Sequence, residues 1–291
     1  MPALLSNPPE KDLVTLMRRE TQVFPGPFVD RLEGQLVTAG KQYLDHAREN
    51  FLLRDRDFSI LYRKGHGVFV SPEAAAWPGE VALYLDGSVY AAAACLNGLF
   101  PFHASAIAVG EGVVAFTGPA GAGKSTLLAG LSALGWPMFC DDTLIAQVGD
   151  SGELACLPGH KRLKLWPDAL EMTGARSTGI VSSTYPKHFA SPAGGDVARI
   201  LPLRALVVLA EGEECSLVPV SAGERIALLD DDHHTRLIYE DAAGFTQADK
   251  FRLLARIAGR LAIHRFTRPK DPARFGETTG FFAERLEGLA Q

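Results

Sequence analysis

The run Gly118-Pro119-Ala120-Gly121-Ala122-Gly123-Lys124-Ser125 constrains this chain more than any other segment, because it matches G-x-x-x-x-G-K-[ST] and separates two patterns of different period. Val113 to Thr117 is a short, continuously apolar run that reads as a buried strand, and Leu127, Leu128, Leu131 and Leu134 then recur on one helical face. A strand, a glycine-rich loop and a helix in that order predict a phosphate cradle built from loop N–H groups and the positive end of a helix dipole. In such a loop Gly118, Ala120, Gly121, Ala122 and Gly123 bring backbone close to the phosphates and Lys124 reaches the outer ones. Ser125 offers its hydroxyl to Mg²⁺, and Thr126 completes the cofactor-binding run. The expectation is a protein that binds ATP with Mg²⁺.

Composition narrows the class. A chain of 291 residues with 47% hydrophobic content can bury a proper core as one large domain or two small ones. Its net charge of −5 argues against a broad nucleic-acid surface, which needs a basic excess. Cys95, Cys140, Cys156 and Cys215 show no C-x-x-C spacing and read as reduced, buried thiols rather than a disulfide or zinc framework. The sequence shows neither a secretory leader pattern nor an apolar stretch of about 18 residues. A cytoplasmic protein with no membrane partner is therefore expected.

Along the chain, the first residues through Pro27 read as an arm with one short helix near Asp12 to Arg19. The spacing of Phe28, Leu32, Leu36 and Tyr43 predicts helical character from Phe28 to Asn50. Short strands are expected at Phe58 to Tyr62, Gly67 to Val70 and Val81 to Gly87, which makes residues 1–87 a small β-containing region. Residues 88–291 then form the second domain. It opens with an alanine-rich helix over Ser88 to Asn97, followed by a hairpin in which Gly110-Glu111-Gly112 joins Pro101–Val109 to Val113–Thr117. Further elements are a strand at Pro137 to Cys140, extended chain at Thr143 to Val148, and a buried strand at Leu203 to Leu209. Helices are expected over Ser221 to Leu229 and Gln247 to Ala262, the second with Phe251, Leu254, Ile257 and Leu261 on one face.

Asp141 lies 17 positions after Lys124, enough for one helix and a tight return. If the strand at 137–140 runs parallel beside the loop strand, Asp141 and Asp142 come to the phosphate edge of the sheet. One carboxylate can complete a Mg²⁺ shell with Ser125 and the other can take a proton from an attacking hydroxyl; adjacent strand residues point to opposite faces, so their roles should differ. A helix cap or turn is the alternative use of such a pair.

His103-Ala104-Ser105-Ala106, the phosphate loop 15 residues beyond His103, and the Asp pair occur in an order that resembles the HPr kinase/phosphorylase family. The layout is also similar to the nucleotide core of phosphoenolpyruvate carboxykinases, with their comparable H-x-S-A run. The resemblance covers roughly residues 88–145. It implies an α/β fold with a P-loop core of mixed sheet and flanking helices. It further implies Asp141 as catalytic base for a seryl hydroxyl, His103 pairing with and tuning that carboxylate, Lys124 and Ser125 on phosphates and metal, and Asp142 supporting the base or the metal. Two departures stand out. Ala120 replaces the loop serine of HPr kinases, and residues 158–166 have no counterpart of their E-[IV]-R-G-x-[GT] signature. The pattern is closer to the HPr kinase-related branch, which includes kinases of the C-terminal serine of lasso-peptide precursors. The implied activity is one-directional transfer of phosphoryl from ATP to serine on a peptide or small protein, and family relatives assemble as oligomers. A small-molecule kinase and an NTP-binding switch with slow hydrolysis are the competing readings.

Weaker signals have ordinary explanations. His160, Lys161, Arg162 and Lys164 read as a charged turn or a phosphate clamp, and Lys187, in a Ser/Thr-rich loop that could close over ATP, is an ordinary loop lysine or a candidate contact for the transferring group. Arg252, Arg256 and Arg260 read as a solvated helix side. Asp230 to His234 reads as a solvated loop rather than a metal cluster.

Overall fold

A computed structural model describes residues 12–38, 41–182, 186–195, 197–230 and 233–291. The chain packs as two compact units, Met1–Pro101 with Asp232–Lys250, and Phe102–Asp231 with Phe251–Gln291. This division differs from the expected one after residue 87: the first unit runs on through the alanine-rich helix and recruits a later segment.

In the first unit the strands Val23–Pro25, Gly67–Val70, Phe58–Arg63, Asn50–Asp55, Gln42–Asp45 and Gly34–Thr38 lie side by side in that order. The first pair is parallel and the rest antiparallel. The helix expected over Phe28 to Asn50 is thus replaced by strands. Phe28 and Leu36 are exposed, so their helical spacing marks no buried face, and Gly34 has strand neighbours so close that any Cβ would strike the carbonyl of Leu44. The short N-terminal helix is present at Leu13–Glu20.

The strand expected at Val81 to Gly87 is instead helix Pro78–Tyr84 running through a wide turn, Leu85–Val89, into helix Tyr90–Leu96. A continuous apolar run carries no period to tell the two apart. Every residue of Tyr90–Leu96 is buried. Helix His234–Ala243 packs against it, with Phe100 and Tyr239 edge to face at 5.2 Å and the Cys95 thiol against the carbonyl of Thr235.

The second unit is the expected α/β core. Hairpin strands Ser105–Val109 and Gly112–Thr117 are antiparallel; Leu201–Glu211 runs parallel to Gly112–Thr117, and Ala262–Arg268 runs parallel to Leu201–Glu211. Ser216–Pro219 adds an antiparallel edge to Ala262–Arg268. Strand Met138–Cys140 does not lie beside the loop strand. It pairs antiparallel with Ser105–Val109, which separates the two. Two antiparallel steps restore the direction, so Met138–Cys140 still ends at the edge where Gly112–Thr117 ends.

Helix Lys124–Ala133 buries Leu127, Leu128 and Leu131 on the sheet, while Leu134, expected on the same face, is exposed. Phe282, from helix Phe275–Ala283, meets Phe116 at 5.4 Å and Phe266 at 4.7 Å, tying the late helix to two central strands. Helix Gln247–Arg260 buries Leu253, Leu254, Ile257 and Ala258; Phe251 is exposed rather than part of that face. Helix Ala222–Leu229 is as expected, whereas strand Ala262–Arg268 begins where the last helix was expected to end. All four cysteines are free thiols and three are buried. Among the described residues no helix is long and apolar enough to cross a membrane.

Candidate functional site

The loop strand Gly112–Thr117 turns at Gly118 and delivers the chain through Gly121 and Gly123, both at positive φ (80° and 83°), into the helix that starts at Lys124. Left-handed backbone at these positions is what glycine supplies without strain. The first amides of that helix have no partners within it, which leaves them to an anion. Lys124 is buried, with Nζ donating to the carbonyls of Gly118 (2.9 Å) and Pro119 (3.4 Å). The ammonium is therefore held over the loop it is expected to serve.

Asp141 is 5% exposed. Its Oδ1 accepts from the Ser125 hydroxyl at 2.9 Å and from the Ser105 hydroxyl at 2.6 Å, and its Oδ2 accepts from the backbone N–H of Lys164 at 3.2 Å. Asp142 is turned the other way. It has φ 71°, and the N–H of Thr143 closes back on the carbonyl of Asp141 at 2.9 Å, so Asp142 is the centre of a tight three-residue turn. Its Oδ2 receives Lys164 Nζ at 2.6 Å, and His103 Nδ1 lies 3.7 Å from its Oδ1 and 3.1 Å from its own carbonyl oxygen. A non-glycine residue in left-handed backbone is a local cost that the surroundings must hold in place; here His103 and Lys164 hold it.

The expected opposition of the two carboxylates is present, but the pairing is exchanged. Asp141, not Asp142, reaches Ser125, and Asp142, not Asp141, sits with His103. Asp142, His103, Lys124, Ser125, Ala120 to Gly123 and Thr126 all line one cleft of about 540 Å³, a size typical of small-ligand sites. Its other wall includes Trp166, 41% exposed, with the Lys187 ammonium 5.5 Å from the Trp166 ring. Lys187 also lines this cleft.

Ser125 and Asp141 present hard oxygen atoms side by side, the donor set Mg²⁺ takes when phosphate oxygens and water complete its shell. No group of three or more His, Cys, Asp or Glu fit to hold a metal occurs among the described residues. A Mg²⁺ bound with a nucleotide does not need one.

Three contributors were not legible as site residues in the sequence. Ser105 lay inside the H-x-S-A run without a role. Lys164, 8% exposed, belongs to the basic cluster that reads as either a charged turn or a phosphate clamp, and the structure splits that cluster: Lys161 Nζ donates to the carbonyl of Phe139, Arg162 stacks on Phe189, and of the four only Lys164 lines the cleft. Arg268, also 8% exposed, ends the strand Ala262–Arg268 and donates through Nη2 to the carbonyl of Ala122 at 2.7 Å. The remaining signals stay outside the cleft. Arg256 bonds the carbonyl of Asp150, and His234 Nε2 lies 3.0 Å from the Ser88 hydroxyl; Asp231 and Asp232 are outside the described residues.

Fold and site together define an α/β P-loop protein whose loop faces a pair of divergent carboxylates. No protein-family profile and no curated protein matches the sequence. Among solved structures the chain is similar to the HPr(Ser) kinase/phosphatase from Coxiella burnetii, at 12% identity over 65% of this chain and 98% of that one, with a TM-score of 0.32.

Proposed function

We propose that this protein is an ATP- and Mg²⁺-dependent kinase that transfers the γ-phosphoryl group to a hydroxyl, with a serine of a peptide or small protein as acceptor. The observation that carries the reading is the division of labour in the Asp pair: Asp141 is buried against the loop serine at 2.9 Å, while Asp142 faces the same cleft beside His103. A site that only sensed nucleotide would need the first carboxylate and not the second.

Asp142 is the group that takes the acceptor's proton as its oxygen attacks the γ-phosphorus in line. The bond to the bridging oxygen breaks, and ADP leaves with that electron pair. His103 and Lys164 fix the carboxylate's direction through the contacts given above. Lys124 and the loop amides stabilise charge on the phosphoryl oxygens. Asp141 and Ser125 would hold Mg²⁺, which when bound neutralises the phosphate chain. These roles reverse those implied for Asp141 and Asp142 by the sequence resemblance. Trp166 on the cleft wall is 41% exposed, which suits an acceptor that is part of a longer chain.

The test is to incubate the purified protein with ATP, Mg²⁺ and a pool of serine-bearing peptides and to look for phosphopeptide by mass spectrometry. Phosphopeptide formation that is lost in Asp142→Asn supports the reading. ATP hydrolysis at one rate with and without peptide or small hydroxyl compounds would overturn it in favour of a nucleotide switch.

A further inference from the structure

Arg268 is placed where the P-loop can use it. Its strand is two positions across the sheet from the loop strand, on the side away from Met138–Cys140 and the Asp pair. The guanidinium reaches back over the loop, so close to Gly123 that a Cβ there would lie 2.6 Å from Nη2. Nη2 donates to the carbonyl of Ala122, while Nε is buried with no hydrogen-bond partner. Nε–H and one Nη2–H form the edge of a guanidinium that grips two oxygens of a phosphate at once. A buried donor without an acceptor is costly, and an anion placed at this edge would remove that cost. Burial also holds the Arg268 pKa below its ordinary value, so an anionic partner would favour its charged form.

We infer that Arg268 is a phosphate-chain clamp that grips the non-transferred phosphates of the nucleotide, on the flank of the loop opposite Asp142. The inference rests on the nucleotide-binding part of the proposed function and not on phosphoryl transfer. Two features fix the direction. The Ser125–Asp141 pair and Asp142 mark one flank as the reacting end. On the other flank Arg268 also borders a second recess, of about 160 Å³, lined by Leu209, Glu211 and Lys270, into which the rest of a nucleotide can continue. Arg268 thereby sets which end of the nucleotide faces the acceptor.

Because the clamp touches phosphates that ADP and ATP share, it contributes binding that is equal in ground and transition states. Calorimetric titration of wild type, Arg268→Gln and Arg268→Lys with ADP and with ATP, each with Mg²⁺, tests it. Arg268→Gln should weaken both nucleotides by one common factor, on the order of tenfold or more, and in the transfer assay raise KM for ATP with kcat unchanged. Arg268→Lys keeps the charge and the stem but not the fork; it should retain the wild-type melting temperature and still bind ADP several-fold more weakly. Loss of ATP affinity with ADP affinity intact would overturn the assignment by placing Arg268 on the γ-phosphate. Wild-type ADP affinity in both variants, or in Arg268→Lys alone, would overturn the fork. A wild-type protein that binds ADP but transfers nothing would sink the kinase reading and leave the ADP comparison decisive for Arg268. A wild-type protein that binds neither nucleotide would overturn both.

Discussion

The Ser125 hydroxyl donates to Oδ1 of Asp141 at 2.9 Å, and the same oxygen takes the Ser105 hydroxyl at 2.6 Å. One buried carboxylate oxygen thereby joins the loop helix to the hairpin strand before it. Its neighbour in sequence, Asp142, makes neither contact and points with His103 and Lys164 into the cleft.

That separation makes the two amide variants distinguishable. Asp142→Asn should keep ADP affinity within about threefold and lower kcat by 100-fold or more, since an amide cannot accept the acceptor's proton. Asp141→Asn should instead raise the Mg²⁺ concentration needed for half-maximal rate. Calorimetry and Mg²⁺ titration of both variants check this, and the reverse pattern would return the base to Asp141.

Lys124→Met should reduce transfer by about 100-fold or more without lowering the melting temperature, because the ammonium is held by carbonyls of the loop it serves, those of Gly118 and Pro119. Circular dichroism melts alongside ATP turnover under saturating Mg²⁺ would show it. Turnover within tenfold of wild type would refute the cradle role.

Gly123→Ala should weaken nucleotide binding more than it changes the melting temperature. The added methyl must both adopt φ 83° and displace the Arg268 guanidinium 2.6 Å away. The measurement is ADP affinity, and a variant that binds like wild type would mean that the loop and Arg268 adjust at no cost.

The first unit has its own titratable anchor. The Glu20 side chain is fully buried and accepts from Tyr62 Oη (2.7 Å), Gly65 N (2.8 Å) and Arg19 Nη2 (2.7 Å). Burial alone would raise its pKa; the bonds from Tyr62, Arg19 and Gly65 outweigh it and hold the pKa below the ordinary 4.5. A carboxyl whose folded pKa is depressed adds stability above its unfolded value and loses it as pH falls through the folded one. Wild type should therefore lose stability on acidification from about pH 5 to pH 3 more steeply than Glu20→Gln, and Glu20→Gln should melt lower at neutral pH. Parallel melting-temperature curves for the two proteins would contradict this.

Transfer should run in one direction. Ala120 stands where the HPr kinases that the sequence resembles carry serine, and Lys161 and Arg162 contact Phe139 and Phe189 and do not line the cleft. Incubating phosphoproduct with inorganic phosphate, Mg²⁺ and enzyme should release no pyrophosphate at a rate comparable to the forward reaction. Phosphorus NMR reads the outcome directly.

What the sequence made legible was local. The loop, the hairpin before it and the Asp pair depend on neighbours a few residues apart, and their periods are clean. The exchange of partners between Asp141 and Asp142 was not legible, because it follows from the left-handed backbone of Asp142 and from which strand lies between two others. Arg268 depends on parallel pairing of Ala262–Arg268 with Leu201–Glu211, across the strand Ser216–Pro219 and three intervening helices, and its strand carries His264 and Arg265 where an alternating apolar pattern would have marked it. Lys164 was hidden by adjacent basic residues that share its charge but not its direction. In the first unit the spacing of Phe28, Leu32, Leu36 and Tyr43 imitated a helix in chain that forms the edge strand Gly34–Thr38 and its neighbour Gln42–Asp45.

The discontinuity of the first unit bears on how the chain is made. Domains usually fold one after another as they leave the ribosome, the N-terminal one first. Here the fully buried helix Tyr90–Leu96 waits for His234–Ala243, and the sheet of the second unit waits for Ala262–Arg268. Neither unit can finish until residues 232–268 have been made, so a nascent chain stalled before residue 232 leaves the Tyr90–Leu96 face that meets His234–Ala243 uncovered, and that stretch of synthesis becomes the interval in which the chain gains most from a chaperone.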